Sequence, residues 1–400
     1  MFWQVLAAIF LGISAGIFTG LVPGIHINLV SLILLSVSPV LLHYTNPVVL
    51  CCFIISMAIT HTFLDAIPSI FLGAPDADQA LNVLPGHKLL LEGKGFEAVK
   101  LTVVGSLLCL LLAAVMIPPM LMISKTIYPF LKGYIGYLLI VIVVFMVMKD
   151  KNRFMNLIVF LTSGVLGLIV LNMPTLKDPL VPLLSGLFGT SMLVVSLTQK
   201  VKIPEQTFSE TIRVKKGHIA QAVGAGTLAG ALTGFLPGLG PAQGAVLASQ
   251  ITRNIGDYGF MILVGGINTV NFVFSLVTLY TIEKARNGAV IVVSKLLTDY
   301  SLTILLVFVC AALIAGAAAT FLTLKLSKVF AKLVSKVKYG LVVCCVISLI
   351  VGLVFYFSGL LGILVLIVST AIGIIPGLTG TARNHQMGCL ILPVILFFVL

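Results

Sequence analysis

The sequence predicts an all-α polytopic membrane protein, and three observations support this prediction. First, 60% of the 400 residues are hydrophobic and only 9% are charged, whereas a soluble domain has about 25% charged residues. Second, the apolar runs are long enough for about 10–12 membrane segments, since a helix needs ~20 residues to cross a bilayer. Third, Pro-Gly pairs interrupt two apolar regions, at Pro23-Gly24 and at Pro237-Gly238.

The first half of the chain, residues 1–205, is expected to form one transmembrane repeat. Its run at 48–73 contains polar residues in quick succession, among them His61 and Asp65. We therefore expect this run to be broken near its middle. The predicted apolar segments of this half are 2–20, 27–42, 48–73, 98–123, 127–148, 154–172 and 180–198.

The second half, residues 206–400, is expected to form a second repeat. A short helix is predicted after the second Pro-Gly pair, and a third Pro-Gly break is expected at Pro376-Gly377. The predicted apolar segments of this half are 218–236, 242–252, 258–282, 301–324, 341–357, 359–375 and 387–400.

Short matches in the same order along the two halves indicate an internal duplication. The matched segments are Pro23-Gly24 with Pro237-Gly238, Thr62-Phe63 with Asn271-Phe272, Lys88–Leu90 with Lys295–Leu297, and Ser185–Thr190 with Pro376–Thr381. Basic residues collect in cytoplasmic loops, and here they lie at 149–153, 200–216 and 325–338. The spans between these loops give the two repeats inverted topology, with broken helices or re-entrant hairpins at the midplane.

The two Pro-Gly breaks are the first candidate binding elements. Pro and Gly free backbone N–H and C=O groups inside an apolar region, and these groups must be satisfied. A helix that begins just after such a break presents N–H donors and a positive dipole end to an anion. One break alone is more often a simple kink, but two in corresponding places indicate a binding site. The candidate substrate-binding residues here are Pro23, Gly24, His26, Asn28, Pro237, Gly238, Gly240 and Gln243.

Two polar patches, at 60–65 and 268–271, are expected to interrupt apolar runs and are the second candidate element. Asp65 lies one helical turn from His61, so the two side chains could share a proton or help to bind a cation. An intramembrane acid is a functional candidate by default, although Ser, Thr and Asn also join helices structurally. The candidate substrate-binding residues of these patches are Thr60, His61, Thr62, Asn268 and Asn271, and the candidate ion-coupling residues are Asp65, His61, Asn268 and Thr269.

Six segments together resemble one family. They are Gly20–Asn28, Ile67–Ala77, Leu84–Leu89, Gly93–Ala98, Gly186–Gly189 and Gly234–Pro241. In these segments the chain is similar to the TctA family, the large membrane subunit of tripartite tricarboxylate transporters, as a compact and divergent member. The resemblance implies a carboxylate substrate, a small membrane subunit and a solute-binding protein as partners.

The chain also departs from the family pattern. It has His87-Lys88 where the family usually has Asp-Gly-Tyr, and Val273–Tyr280 stands where a second Gly-Ile-Pro-Gly-like segment is expected. These differences leave a stand-alone protein, without partner subunits, as an alternative.

The sequence therefore predicts a secondary active transporter of a small organic anion, a di- or tricarboxylate, in the cell membrane. Na⁺ or H⁺ would drive transport by alternating access, and no cofactor is expected beyond Na⁺ as a coupling ion. A translocase of a polyprenyl-phosphate lipid is the alternative, because the same geometry would hold a phosphate. A non-transporting scaffold would not need these polar residues.

Two further classes are disfavoured by the sequence. It has no HExxH, GxSxG or P-loop motif, which argues against an enzyme. The net charge of +12 lies in short loops, which is typical of cytoplasmic loops rather than of a nucleic-acid interface.

Overall fold

The computed structural model describes residues 1–22, 27–73, 81, 83–149, 152–198, 204–209, 211, 214–236, 240–252, 255–334 and 339–400. All regular elements in these ranges are helical. Seven of the helices are long and apolar enough to cross a membrane. This confirms the prediction of an all-helical, multi-pass membrane protein.

The first half contains ten α-helices among its described residues. They are α1 (Phe2–Leu21), α2 (Ile27–Leu41), α3 (Pro47–Leu64), α4 (Ala66–Phe71), α5 (Val83–Leu91), α6 (Gly95–Lys132), α7 (Ile135–Lys149), α8 (Arg153–Leu171), α9 (Leu180–Leu184) and α10 (Ser191–Thr198). A π-helical segment, Ser185–Thr190, joins α9 to α10. Helix α3 begins where the Asn46 side chain accepts a hydrogen bond from the backbone N–H of Val49 at 3.1 Å, a typical N-cap.

The second half contains seven α-helices in its described part. They are α11 (Lys216–Phe235), α12 (Pro241–Ile251), α13 (Gly256–Ile282), α14 (Gly288–Leu296), α15 (Leu302–Val334), α16 (Tyr339–Thr379) and α17 (Gly388–Val399). A 3₁₀ turn, Arg383–Met387, connects α16 to α17.

The polar interruptions differ from the prediction. The run at 48–73 turns at Asp65, towards its end, and the backbone there stays in the helical region (φ −59°, ψ −22°). Helix α13 is continuous, so the expected interruption at Asn271 is absent. A helix can carry several buried polar side chains without breaking, because its backbone groups are satisfied internally.

The third Pro-Gly break is also placed differently. Helix α16 continues through Pro376, and the backbone leaves the helical region at Gly380, where φ is +67°. Membrane helices tolerate proline where neighbouring groups satisfy the freed carbonyl.

Helix α16 folds back on itself at Gly359, where φ is 65° and ψ is −160°. A Cβ placed on Gly362 would lie 3.2 Å from Val354 Cγ1, whereas eight residues of straight helix span about 12 Å. The two arms correspond to the predicted segments at 341–357 and 359–375. By contrast, the predicted spans at 98–123 and 127–148 are displaced, because α6 continues to Lys132.

The core lies around α3 and α13, which are the most buried of the membrane-length helices. Helix α1 packs along α3, and α11 packs along α13. The long helices cross between the halves, since α6 packs against α13 and α15 packs against α3. This arrangement brings the polar residues of α3 and α13 together at the centre of the molecule.

The connection between the halves is attached to the first of them. The side chain of Gln206 accepts a hydrogen bond from Gly95 N at 2.8 Å and donates one to Leu90 O at 3.0 Å. Thr207 N donates to Gly93 O at 2.8 Å. The segment at 204–209 therefore holds the turn between α5 and α6.

Candidate functional site

Helix α1 approaches α3 through three glycines, Gly12, Gly16 and Gly20. A Cβ placed on Gly16 would lie 2.6 Å from Met57 O and from Thr60 Cβ. Such contacts are too short for any side chain, and small residues at this spacing let membrane helices pack closely. Glycine therefore recurs every four residues on the face of α1 where the backbones of the two helices nearly touch.

Helix α11 approaches α13 in the same way. Its glycines are Gly226, Gly230 and Gly234, again four residues apart. A Cβ on Gly230 would lie 2.6 Å from Val270 Cβ and 2.9 Å from Ile267 O. The two helix pairs therefore share one mode of packing.

Each pair also has a buried hydrogen bond at the equivalent place. His61 Nδ1 lies 3.1 Å from Thr19 Oγ1, and Asn271 Nδ2 donates to Thr233 Oγ1 at 3.0 Å. Each threonine hydroxyl in turn lies within hydrogen-bond distance of the carbonyl of its own helix three residues earlier. His61, and not Thr62 as the sequence match predicted, therefore occupies the place of Asn271.

Sequence reasoning missed Thr19 and Thr233, although a signal was present. The pattern Gly-x-x-Thr-Gly-x-x-Pro-Gly occurs at 16–24 and again at 230–238. Its last two residues were recognised as the breaks. The preceding Gly-x-x-Thr-Gly part holds the glycine contacts and the threonine of each pair.

The two halves meet through polar side chains of α3 and α13. Asn268 Nδ2 donates to Asp65 Oδ2 at 2.8 Å, and Thr62 Oγ1 lies 3.1 Å from Thr269 Oγ1. All four side chains are at most 5% exposed. Burying a carboxylate at this depth carries a large desolvation cost. The hydrogen bond from the Asn268 amide offsets part of that cost. The structure thus brings together Asp65, Thr62, Asn268 and Thr269.

The ends of α1 and α11, which precede the two Pro-Gly pairs in the sequence, lie next to these polar residues. A Cβ on Gly20 would lie 3.4 Å from Asp65 N, and a Cβ on Gly234 would lie 3.0 Å from Asn271 O. The residue that ends each helix has an extended backbone: Val22 after α1 and Leu236 after α11. The predicted site residues Pro23, Gly24, His26, Pro237 and Gly238 lie outside the described residues.

Four other predicted residues have local structural roles. The backbone N–H of Gly240 donates to Gln243 Oε1 at 2.9 Å, which caps the start of α12. The Asn28 side chain lies against Gly288 of α14, and Thr60 lies against Gly16 of α1. These contacts of Asn28 and Thr60 are with neighbouring helices, and the contact of Gly240 with Gln243 lies at the start of α12.

The central polar cluster offers oxygen ligands rather than a transition-metal site. Among the described residues, no group of three or more His, Cys, Asp or Glu side chains could hold a metal ion. Na⁺ instead takes carboxylate, hydroxyl, amide and carbonyl oxygens, as hard cations do. Asp65, Thr62, Asn268 and Thr269 present such oxygens.

An open pocket of about 510 Å³ lies elsewhere and contains none of the predicted site residues. Its lining includes His218 and the exposed ion pair of Lys88 with Asp257, whose Nζ and Oδ2 atoms are 2.7 Å apart. The Asp257 carboxylate raises the pKa of Lys88 above its usual range. The pocket has both charge signs, so it does not select an anion.

Comparison with known proteins places the chain in a family. A family model described as the Tripartite tricarboxylate transporter TctA family matches residues 6–388. An uncharacterized protein of Methanocaldococcus jannaschii is 29% identical over 364 residues, which covers 87% of this chain and 88% of that protein. No solved structure shows significant similarity to the chain. The family match includes both helix pairs and confirms the resemblance seen in the sequence, so the chain belongs to the TctA family of tripartite tricarboxylate transporters.

Proposed function

We propose that this protein is a secondary active transporter of a small organic anion, a di- or tricarboxylate, in the cell membrane. One observation carries the proposal: the buried Asp65–Asn268 contact joins two helix pairs that have the same packing and each lead into a Pro-Gly break. Paired broken helices around polar groups are typical of secondary transporters.

The two pairs support a duplication of the chain into repeats at 1–205 and 206–400. The glycine contacts and the threonine hydrogen bonds recur at the same spacing in both. The positions of the basic loops give the repeats opposite orientation in the membrane. In such an arrangement the substrate binds between the repeats, and alternating access exchanges which side is open.

The anionic substrate would bind where α2 and α12 begin. Backbone N–H groups at these helix starts would donate to a carboxylate. Asn28 and Gln243 lie in the first turns of these helices, and the glycines of both breaks precede them in the sequence. Gln243 Oε1 already caps its own helix. A solute-binding protein and a small membrane subunit would deliver the substrate, as the family name implies.

The coupling ion would act at Asp65. With Na⁺, the carboxylate and the oxygens of Thr62, Asn268 and Thr269 would form the site. With H⁺, Asp65 would be protonated, and His61 one turn earlier would exchange the proton. Either event changes the charge at the contact between the two halves. Such a change can shift the equilibrium between the two conformations that alternating access requires.

The test is uptake of radiolabelled citrate and succinate by proteoliposomes that contain the purified protein. A Na⁺ gradient and a pH gradient are applied separately, so that the active gradient identifies the ion. Asp65→Asn should abolish the response to the gradient, and Ser275→Ala should not. Ligand-dependent thermal stabilisation covers the case in which transport needs partner subunits, because binding to the folded state raises the melting temperature. Stabilisation by a short-chain polyprenyl phosphate alone, with no effect of any carboxylate, would contradict the proposal.

A further inference from the structure

An arginine stands in the turn between α16 and α17. Arg383 begins the 3₁₀ turn Arg383–Met387, three residues after the backbone leaves the helical region at Gly380. The turn contacts α8, α12, α16 and α17. Helix α12 begins after the second Pro-Gly break, so Arg383 lies in an element that packs against the helix at whose start the substrate is proposed to bind.

The guanidinium of Arg383 has donors that the described part of the chain does not use. Its Nη1 atom is buried and has no hydrogen-bond partner among the described residues. Its Nη2 atom lies near Gly377, 3.5 Å from the position of a Cβ there. A guanidinium has five N–H donors and stays charged in proteins, and an unpaired buried charge is strongly unfavourable. An anion would remove this cost.

Most of the residues next to Arg383 in the chain are polar. Gln386 is fully buried, donates to Gly373 O at 3.0 Å, and has an Oε1 atom without a partner among the described residues. The hydroxyls of Thr379 and Thr381 lie 3.0 Å apart. The segment at 379–386 contains one arginine and no acid. Burial also lowers the pKa of Arg383 from its usual value.

We propose that Arg383 binds a carboxylate group of the transported anion and supplies the positive charge of the substrate site. The inference rests on the proposed function and deepens it. The two helix starts offer dipoles and neutral donors, whereas a di- or tricarboxylate brings at least two negative charges. An arginine fork matches the two oxygens of a carboxylate. A phosphate group has the same chemistry, and the test below separates the two.

The test measures thermal stabilisation of the purified protein by citrate, by inorganic phosphate and by a short-chain polyprenyl phosphate. Arg383→Gln should weaken citrate binding by tenfold or more, which is about 1.4 kcal/mol per factor of ten. Arg383→Lys keeps the charge but loses the fork, so it should show an intermediate loss. Without ligand, Arg383→Gln should melt no lower than the wild type, because it removes an unpaired charge. Arg153→Gln is the matched control, since Arg153 is an exposed arginine at the start of α8.

The outcomes separate this inference from the proposed function. Equal citrate binding by wild type and Arg383→Gln would overturn the role of Arg383 and leave carboxylate transport standing. Stabilisation that depends on Arg383 but is caused only by the phosphates would keep the anion site and overturn the carboxylate. No stabilisation by any of the three ligands would overturn both. If Arg383→Gln does not fold, unchanged citrate binding by Arg383→Lys decides against the fork.

Discussion

Helices α1 and α11 each approach their neighbour through three glycines and one threonine, yet the partner helices α3 and α13 differ in chemistry. The threonine of the first pair faces His61, and the threonine of the second faces Asn271. One turn further along, the first pair has Asp65 and the second has Ser275. An imidazole and an amide can make the same hydrogen bond to threonine. The packing of the two helix pairs can therefore be the same although His61 and Asp65 have ionisable side chains and Asn271 and Ser275 do not.

The neutral half contributes to the acid of the other half. Asn268 donates to Asp65, and Thr269 lies against Thr62. One pair therefore holds the titratable groups, and the other supplies the amide and hydroxyl that surround them. Substitutions at corresponding positions of the two pairs test this difference, and a control substitution is added where one is available.

The largest effect is expected at Asp65 and its counterpart. Asp65→Asn keeps the shape and removes the charge, so ion-driven uptake should fall at least ~100-fold, equivalent to roughly 2.7 kcal/mol. Ser275→Ala loses one hydroxyl that donates to Asn271 O at 2.8 Å and should leave uptake nearly unchanged. Uptake by proteoliposomes under a Na⁺ or pH gradient measures both. Gradient-driven uptake by Asp65→Asn at the wild-type rate would place ion coupling elsewhere.

The next largest effect is on stability, at the glycine contacts. Gly16→Ala and Gly230→Ala should each destabilise the protein by about 1–3 kcal/mol, because the new methyl groups force backbones apart. Gly224→Ala is the control in α11, since a Cβ there would meet nothing within 4 Å. Melting temperatures in detergent compare the three variants. Equal melting of Gly230→Ala and Gly224→Ala would show that the close approach in the second pair is not required.

A smaller and more specific effect is expected from making the first pair resemble the second. His61→Asn should preserve the fold, because an amide makes the equivalent bond to threonine in the second pair. If His61 exchanges protons, uptake driven by a pH gradient should fall about tenfold, which is less than the 10²–10⁴-fold that a positioned acid–base group contributes to catalysis. Citrate binding should be unchanged. Transport assays at several pH values measure this effect, and Asn271→His is the reciprocal variant. An unaltered pH profile of uptake by His61→Asn would contradict a role of His61 in proton exchange.

The smallest effect is expected from the two threonines. Thr19→Val and Thr233→Val each remove one buried hydrogen bond, and such bonds between membrane helices contribute about 0.6 kcal/mol on average. The two losses should be equal within error, since the geometry of the two contacts is the same. Double-mutant cycles of Thr19 with His61 and of Thr233 with Asn271 measure the two coupling energies. A measurable coupling energy in only one of the two pairs would contradict the prediction that the two hydrogen bonds contribute equally to stability.

Local features of the sequence were enough for the class of protein, most of its spans and the position of its intramembrane acid. The length of an apolar run reports a membrane helix directly, because the bilayer has a fixed thickness. Asp65 stands out because a carboxylate is rare in such a run. The family followed from short motifs, such as Gly234–Pro241, that keep their residues in order.

Continuity of the helices was harder to predict. Polar residues suggested an interruption of α13 at Asn271, and Pro376-Gly377 suggested one in α16, but both helices continue. Whether a polar or proline residue breaks a helix depends on what its neighbours can satisfy. That information lies in the packing and not in the segment itself.

What the sequence alone determined is therefore local: an apolar, helical, multi-pass chain with two corresponding Pro-Gly pairs and one acid, Asp65, within an apolar run. Only the tertiary structure decided that Asp65 is paired with Asn268, 203 residues away, that His61 is the counterpart of Asn271, and that Gln243 caps its own helix. Periodicity along a segment specifies which face of a helix is buried. It does not specify which distant helix covers that face, because that choice depends on how all the helices pack together.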